Sequence, residues 1–570
     1  MTAIRVWAPN VSSIRVRADG QDTPLDKTDG GWWTGPDLPA GTDYAFLLDD
    51  SDEAIPDPAS RRQPEGVHGP SRVYDQSGFQ WRDAEWSGRD LTAAVIYELH
   101  IGTFTEGATF DAAIERLEHL VDLGITHVEL LPVNDFNGVW NWGYDGVLWY
   151  AVHETYGGPD GLKRFVDAAH GRGLAVVLDV VYNHLGPSGN YLPRFGPYLK
   201  TGRNTWGDLV NVEEPNVRPF IIDNALMWLR DYHVDALRLD AVHALQDDSP
   251  THILAELSAA TDELAGALGR PLTLIAESDL NDPLMITPRD LGGYGLAAQW
   301  DDDVHHALHS TLTGETQGYY CDFGPLHVLA KTFTKAFLHD GTYSTFRGRV
   351  HGRPIDPAVH KGWQFVVCLQ NHDQVGNRAV GDRLPELTTP QLVGVGAVLL
   401  LTSPFTPMLW MGEEWAAATR WPFFTSHPEP ELAEATAKGR LEEFAGHGWD
   451  TAQMIDPQDP KAYRSAILDW SEPTAGTHAE VLDLYRTLLA LRAAEPDLRD
   501  GELAEVKVDF DDDARCLVVH RGRFRVAANL ADAEQSLPVQ GGDVVLATAD
   551  ARPSAEGLAL PAQSAAIVRL

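Results

Sequence analysis

Residues 161–184 read GLKRFVDAAHGRGLAVVLDVVYNH. An amphipathic helical stretch is stopped by glycines, and an unbroken apolar run follows that ends on Asp179, Asn183 and His184. An apolar run of this length between a glycine stop and a polar tip predicts a buried parallel strand. The same unit recurs on either side. DAAIERLEHLVDLG (111–124) puts Ile114, Leu117, Leu120 and Val121 on one face, stops at Gly124 and leads into THVELLPV (126–133). RPFIIDNALMWLRDYH (218–233) precedes VDALRLDAVH (234–243), and ILAELSAATDELAGALGRP (253–271) precedes LTLIAESD (272–279). AAQWDDD (297–303), QFVVCLQNHD (364–373) and FTPMLWMGEE (405–414) add three strands, and AVIYELH (94–100) opens the series, for a total of eight.

Eight such strands predict an α/β fold of the (β/α)8 TIM barrel type rather than an open doubly wound sheet. Before it, IRVWAP, SIRVRA, GWWTG and DYAFLLDD alternate with period two between turn residues, which predicts an N-terminal β-sandwich over 1–88. After the helical stretch AEVLDLYRTLLALRAAEP (479–496) the alternation returns in LAEVKVDF, CLVVHRGRFRVAANL and SAAIVRL. The expected division is a sandwich at 1–88, a barrel at 89–500 and a C-terminal β-domain at 501–570.

The carboxyl ends of barrel strands form the active-site face. Here they deliver Asp179, Asn183 and His184 from the third strand, Arg238, Asp240 and His243 from the fourth and Glu277 from the fifth. Asp302 and His305 follow the sixth strand, and Asn371, His372 and Asp373 end the seventh. Tyr97, Trp142 and Tyr144 are expected beside them. Facing carboxyl groups with aromatic platforms suit glycosidic cleavage, whose oxocarbenium-like transition state needs an acid for the departing oxygen and negative charge near the anomeric carbon. Arg238 is expected to hold Asp240 ionised as the nucleophile, and partial burial to keep Glu277 protonated as the acid.

DVVYNH (179–184), LRLDAVH (237–243), the Glu of IAESD (275–279) and QNHDQ (370–374) resemble, in order, the four signature regions of the alpha-amylase family of glycoside hydrolases. The resemblance implies Asp240 as nucleophile, Glu277 as acid/base and Asp373 as transition-state stabiliser. It implies sugar contacts or nucleophile orientation for His184, Arg238 and His372, stacking for Tyr144, and a retaining mechanism with carboxyls ~5 to 5.5 Å apart. The N-terminal sandwich narrows the resemblance to branching enzymes, isoamylase-like debranching enzymes and trehalose-releasing trehalohydrolases. AESDLND (276–282), AQWDDDVHHALH (298–309), QNHDQVGNR (370–378) and SPFTPMLWMGEEW (403–415) are most similar to the last of these, over nearly the full length. That similarity implies maltooligosyl trehalose and related α-glucans as substrates. It extends the expected substrate contacts to Leu239, Ala241, Val242 and His243, to Asp302, Asp303, Val304, His305 and His306, and to Gln374, Val375, Gly376 and Asn377. Phe346 and Arg347, in TYSTFRG, are expected near the leaving trehalose.

Composition excludes other classes. There are 44 Lys and Arg against 83 Asp and Glu, a formal charge of -39 that repels nucleic acid and anionic membranes. The longest apolar run, VGVGAVLLLTSPF (393–405), is broken by Gly and Pro and reads as a buried helix and turn. Three distant cysteines and no visible signal segment point to a cytoplasmic protein, expected as a monomer or homodimer. No nucleotide motif opens a helix, and no cofactor or metal is expected. Two cation readings compete with this: His305 and His309 share a helix face, and Asn183 matches a calcium position of some relatives. Asp179 reads as a structural support for Arg238, and Trp32 or Trp33 as a sugar platform of which at least one member is core. A glucan branching transferase, a debranching enzyme and a noncatalytic glucan binder are the alternative functions.

Overall fold

The computed structural model describes residues 2–446, 454–554 and 557–570. Eight parallel strands close into a barrel: β1 (Ile96–Leu99), β2 (His127–Leu130), β3 (Ala175–Val180), β4 (Ala236–Leu239), β5 (Thr273–Ala276), β6 (Ala298–Trp300), β7 (Phe365–Cys368) and β8 (Thr406–Trp410). The ring shuts where Met408 pairs with Ile96. All eight lie inside the apolar runs read from the sequence.

The outer layer is built from α1 (Leu117–Leu123), α2 (Gly158–His170), α3 (Val217–Asp231), α4 (Ile253–Leu268), α5 (Asp302–Thr313) and α6 (Pro390–Leu401). The longer helices after β8 among the described residues are α7 (Pro430–Gly446) and α8 (Gly476–Ala494). Gly124 ends α1 with φ 99°, a conformation that a Cβ would penalise, and returns its N–H to the Leu120 and Val121 carbonyls. The helical repeat fails once. Between β5 and β6 the chain makes only the single turns Pro283–Met285 and Arg289–Leu291. Residues 392–401 of α6 are all buried, as the run of Val, Leu and small residues requires. Arg492 of α8 closes the end of that helix by donating to the carbonyls of Leu401, Ser403, Phe405 and Leu498. No helix among the described residues is long and apolar enough to cross a membrane.

Alternation along the strands decides what fills the barrel. Ile96, Val177, Ala236, Ile275, Ala298, Trp300, Val366, Cys368 and Met408 form an apolar plug inside it. At the same inward parity, β1 to β4 present Glu98, Glu129, Asp179 and Arg238; register pairing sets Glu98 beside Glu129 and Asp179 beside Arg238, with Glu129 level with Val177 of the plug. Tyr97, expected at the mouth, has the opposite parity. It faces the helical layer, where its hydroxyl meets Glu414 and accepts from the Gly412 N–H.

Antiparallel sheets lie before and after the barrel. Thr2–Trp7, Trp32–Leu38 and Asp26–Lys27 form one N-terminal sheet, and Ile14–Ala18 and Asp43–Leu48 are central to the other. Trp33 is core and donates to the Ala8 carbonyl at 2.9 Å. Trp32 is covered by the Arg5 guanidinium at 3.9 Å and donates to Asn216 at 3.1 Å, so it joins the sandwich to the start of α3 instead of offering a sugar platform. The C-terminal sheet has five strands in the order Lys507–Asp511, Cys516–Arg521, Phe524–Asn529, Ser564–Arg569 and Asp543–Ala547.

On the face opposite the polar strand tips, Asp235 collects Trp86 Nε1 at 2.8 Å, Arg270 Nη1 at 2.6 Å and His170 Nε2 at 2.9 Å. This buried carboxylate balances a buried cation, and removing it strands the partners. Asp235→Ala is expected to cost about 3 to 5 kcal/mol, read by urea unfolding, with turnover per folded molecule unchanged because the reacting groups lie at the other end of the barrel.

Candidate active site

The polar layer is organised around Arg238, which has no exposed side-chain surface. Its Nη1 lies 2.9 and 3.0 Å from the two oxygens of Asp179 and 2.6 Å from Asp240 Oδ1. Its Nη2 lies 3.6 Å from Glu277 Oε2, and its face packs 4.3 Å from the Trp300 ring. The second oxygen of Asp240 accepts from Asn183 Nδ2 at 2.7 Å. Both carboxylate oxygens of Asp240 are thereby fixed in direction.

The chain turns sharply after Asp240. Ala241 sits at φ 41° in the left-handed region, and its N–H donates to Glu277 Oε2 at 2.5 Å. Burial pushes the Glu277 carboxyl up; the Arg238 cation opposes this, while Asp240 and Asp373 reinforce it. Asp179 is pushed up to about 7 by burial against the pull of Arg238. Asp302, at the start of α5, is likewise pushed up to about 7 by burial and by Glu277 and Asp373.

From β7, His372 and Asp373 enter the site. The His372 ring stacks on Tyr144 with centroids 5.1 Å apart, and its Nε2 is 2.8 Å from the Tyr144 hydroxyl, which donates to Asp179 Oδ2 at 2.6 Å. Asp373 keeps 39% of its side chain exposed and takes Asn377 Nδ2 at 3.2 Å. His184 reaches the Tyr144 carbonyl with Nε2 at 3.0 Å and Asn183 Oδ1 with Nδ1 at 2.7 Å. A cavity of about 500 Å³ opens above these groups, with Asp240, Glu277 and Asp373 in its lining together with Tyr144, His184 and Asn377. Such a cavity can hold a sugar ring with a carboxylate on one side and a protonated carboxyl on the other.

Several residues expected to touch substrate are covered by protein. Leu239 and Val242 face the helical layer as core residues, although Ala241 between them does line the cavity. Asp303 is buried because its Oδ2 accepts from Asn281 Nδ2 and from the N–H groups of Leu338 and His339. Val304 and Val375 are core, and Gly376 lies so near Trp142 that a Cβ would come within 2.1 Å of the indole. His305 is 1% exposed and directs its nitrogens at the Cys368 carbonyl and the Tyr320 hydroxyl. Its helix neighbour His309 bonds Glu315 at 2.7 Å, so the two rings serve separate protein partners and do not converge on a cation. The Asn183 amide is committed to Asp240 and His184.

Others stand at the border of the site. His306 stacks on Tyr319, and Phe346, 45% exposed, meets the same tyrosine edge-on. Arg347 binds the Asp279 carboxylate at 2.8 Å, two residues beyond Glu277. His243 lies 3.7 Å from Asp279, and Gln374 takes the Tyr320 hydroxyl at 3.4 Å.

Several residues escaped the sequence reading, Asn141, Asp145 and Thr205 of the cavity lining among them. Trp206, from the loop after β3, and Phe423 and Arg440, from beyond β8, line the cavity, and no spacing rule connects them to it. Glu98 is different. It accepts from the His372 backbone N–H with Oε2 at 3.0 Å, and its Oε1 lies 2.5 Å from His372 Nδ1. Its inward parity in AVIYELH is readable from alternation alone.

The model of the alpha amylase catalytic domain matches residues 96–196, and that of a domain of unknown function, DUF3459, matches 501–567. A malto-oligosyltrehalose trehalohydrolase from Rhizobium sp. (strain M-11) is 56% identical over 578 residues, covering 99% of this chain and 97% of its own. One from Mycobacterium tuberculosis (strain ATCC 25618 / H37Rv) is 51% identical, covering 100% and 99%. The crystal structure of a putative alpha amylase from Salmonella typhimurium superposes with a TM-score of 0.92 at 37% identity, covering 99% of this chain and 97% of that one. With such identity running end to end across a shared barrel and its flanking sheets, the chain belongs to the malto-oligosyltrehalose trehalohydrolase family, within the alpha-amylase-type glycoside hydrolases.

Proposed function

We propose that this chain is a retaining glycoside hydrolase that cleaves the α-1,4 bond next to the terminal trehalose unit of maltooligosyl trehalose. Asp240 is its nucleophile, Glu277 its acid/base and Asp373 the stabiliser of the distorted sugar. One observation carries the assignment of roles. The guanidinium of Arg238 reaches both Asp240 and Glu277, and the residue after Asp240 donates its N–H to Glu277. Two carboxyls tied to one cation and one turn are held within a pyranose of each other, which suits the retaining geometry. The trehalose-releasing specificity is supported by the names of the relatives given above.

In the first step Asp240 attacks the anomeric carbon of the maltooligosyl part. Glu277 passes its proton to the departing 4-oxygen, and trehalose leaves with that proton. A maltooligosyl ester remains on Asp240. Glu277, now a carboxylate, takes a proton from water as the water attacks the same carbon, and the ester bond breaks to free the maltooligosaccharide and Asp240. Tyr144 and His184 form the wall against which the reacting ring stacks and hydrogen-bonds, and the buried His372 stands behind Tyr144. The three cysteines are unpaired, which supports a reducing, cytoplasmic setting. The unit boundaries proposed are 1–88, 89–500 and 501–570, consistent with the start of the second matched family model at residue 501.

Two experiments test this reading. Glu277→Gln is expected to lower kcat/KM on maltooligosyl trehalose by about 10²- to 10⁴-fold, while single-turnover fluoride release from an α-maltosyl fluoride, whose leaving group needs no proton, stays near the wild-type rate; Asp240→Ala is expected to lose both. Equal losses on both substrates in Glu277→Gln would remove Glu277 from the acid role. Product analysis on maltotetraosyl trehalose beside maltohexaose is expected to give trehalose from the first and little cleavage of the second. Equal cleavage would make the enzyme a general amylase, and amylose shortened without new reducing ends would make it a branching transferase.

A further inference from the structure

Glu98 has no part in the steps above, and neither does the carboxyl beside it on β2, Glu129. The two are paired in register across adjacent strands and both point into the barrel. Their environments differ sharply. Glu98 has one oxygen on the His372 backbone N–H and the other 2.5 Å from the imidazole Nδ1. Neither oxygen of Glu129 has a hydrogen-bond partner among the described residues.

The hydrogen bonds running from Glu98 fix a count of protons. The Tyr144 hydroxyl owns one proton and gives it to Asp179 Oδ2 at 2.6 Å, so its oxygen can only accept from His372 Nε2 at 2.8 Å. The Nδ1 of the same ring faces a carboxylate oxygen, which also accepts. Both ring nitrogens must therefore carry hydrogen. The order would reverse with a proton on Asp179 or on Glu98. At pH 8 Asp179, pushed up to about 7, has largely lost its proton and faces the Arg238 guanidinium with both oxygens within 3.0 Å, and Glu98 already accepts the His372 backbone N–H with its other oxygen.

We infer that Glu98 is a positioning residue of the sugar-binding site, which holds His372 doubly protonated as an imidazolium so that the ring anchors Tyr144, and through it Asp179 and Arg238, behind the nucleophile. The inference deepens the retaining-hydrolase reading and rests on it for its kinetic readout, but the charge state of His372 is observable without turnover. Burial alone works to neutralise His372; Asp373 and Glu98 outweigh it and push the ring up to about 9. The other groups facing the ring are Tyr144, the Arg238 cation, Asp179, His100, Glu129 and Trp142, Trp300 and Trp410. Burial and the neighbouring Glu98 both push Glu129 up toward the neutral acid, so of the two paired glutamates it is Glu98 that joins Asp373 in supplying negative charge to the ring.

The two glutamates give an internal control. Glu98→Gln removes a charge, whereas Glu129→Gln replaces a neutral acid by a neutral amide of the same shape. Selective ¹⁵N-histidine labelling, with His372→Asn to assign the signal, is expected to show two N–H protons on His372 at pH 8 in the wild type and in Glu129→Gln, and one in Glu98→Gln. Kinetics are read in the Glu277→Gln background with α-maltosyl fluoride, where the general acid no longer titrates. There the alkaline inflection of single-turnover fluoride release is expected to fall by about 1 to 3 pH units in Glu98→Gln and to stay in place in Glu129→Gln. A wild-type His372 with a single N–H proton would overturn the inference, even if Glu98→Gln does not fold. So would a Glu98→Gln rate that drops equally at every pH with its inflection unmoved, since that is the mark of a merely structural contact. Loss of fluoride release in the Glu277→Gln background itself would count against the proposed reaction, and the resonance measurement would still decide the role of Glu98 on its own.

Discussion

One buried cation organises this barrel. Arg238 is fully enclosed, and a guanidinium withdrawn from water costs several kcal/mol unless carboxylates and hydrogen bonds compensate it. The compensation comes from Asp179 and Asp240, with Glu277 at longer range and the Trp300 ring beneath. This arrangement makes the ionised state of Asp240 part of what holds the barrel mouth together. The nucleophile's charge and the fold's integrity then share one interaction, and a substitution at Arg238 would be felt in both.

The neighbouring pair follows the same rule. His372 and Glu98 form a second ion pair, at 2.5 Å and 1% exposure on each side, linked to the first through Tyr144 and Asp179. Between them the lumen also contains Glu129 and, at its rim, Glu277, both driven toward the neutral form by burial. Of the five carboxyls in the cluster, Asp179 and Asp240 share Arg238, Glu98 faces His372, and Glu129 and Glu277 are pushed toward the neutral form, so the cluster carries one net negative charge. Asp373 stands apart by its exposure; water can solvate it until a sugar displaces that water, so its field strengthens when substrate excludes solvent.

Much of this is legible in the chain. Eight apolar runs ending in polar residues are enough for the barrel, since a strand buried on both faces cannot carry a charged tip anywhere except at its end. The contents of the mouth follow from the same rule at Asp179, Asp240 and Glu277. One group of failures has its physical origin in side-chain direction. An expectation that puts Tyr97 at the mouth and passes over Glu98 neglects the alternation along AVIYELH, which gives them opposite faces. Treating Val304, His305, Val375 and Gly376 as contacts because they adjoin Asp302 and Asp373 ignores that a helix starting at a strand tip turns most of its next turn inward to the core. Trp206, Phe423 and Arg440 are out of reach for a different reason: they arrive on long excursions whose path depends on packing against the finished barrel, and no local period encodes that.

The electrostatics of the site also bear on how one carboxyl serves two opposite roles. Asp240 raises the proton affinity of Glu277 while Arg238 lowers it. When Asp240 becomes an ester in the proposed first step, its negative charge is gone and the cation remains. Arg238 is then left with Asp179 as its one carboxylate, and Glu277 faces a neutral pair where it faced a net negative cluster, so its proton affinity falls at the moment it has given its proton away. The carboxylate is kept available to draw a proton from the incoming water, and it regains its acidic form only when the ester breaks and Asp240 is charged again. On this account Arg238 acts beyond holding the nucleophile: it makes the two carboxyls alternate, because a single fixed charge shared between two titratable groups obliges each to respond to the other.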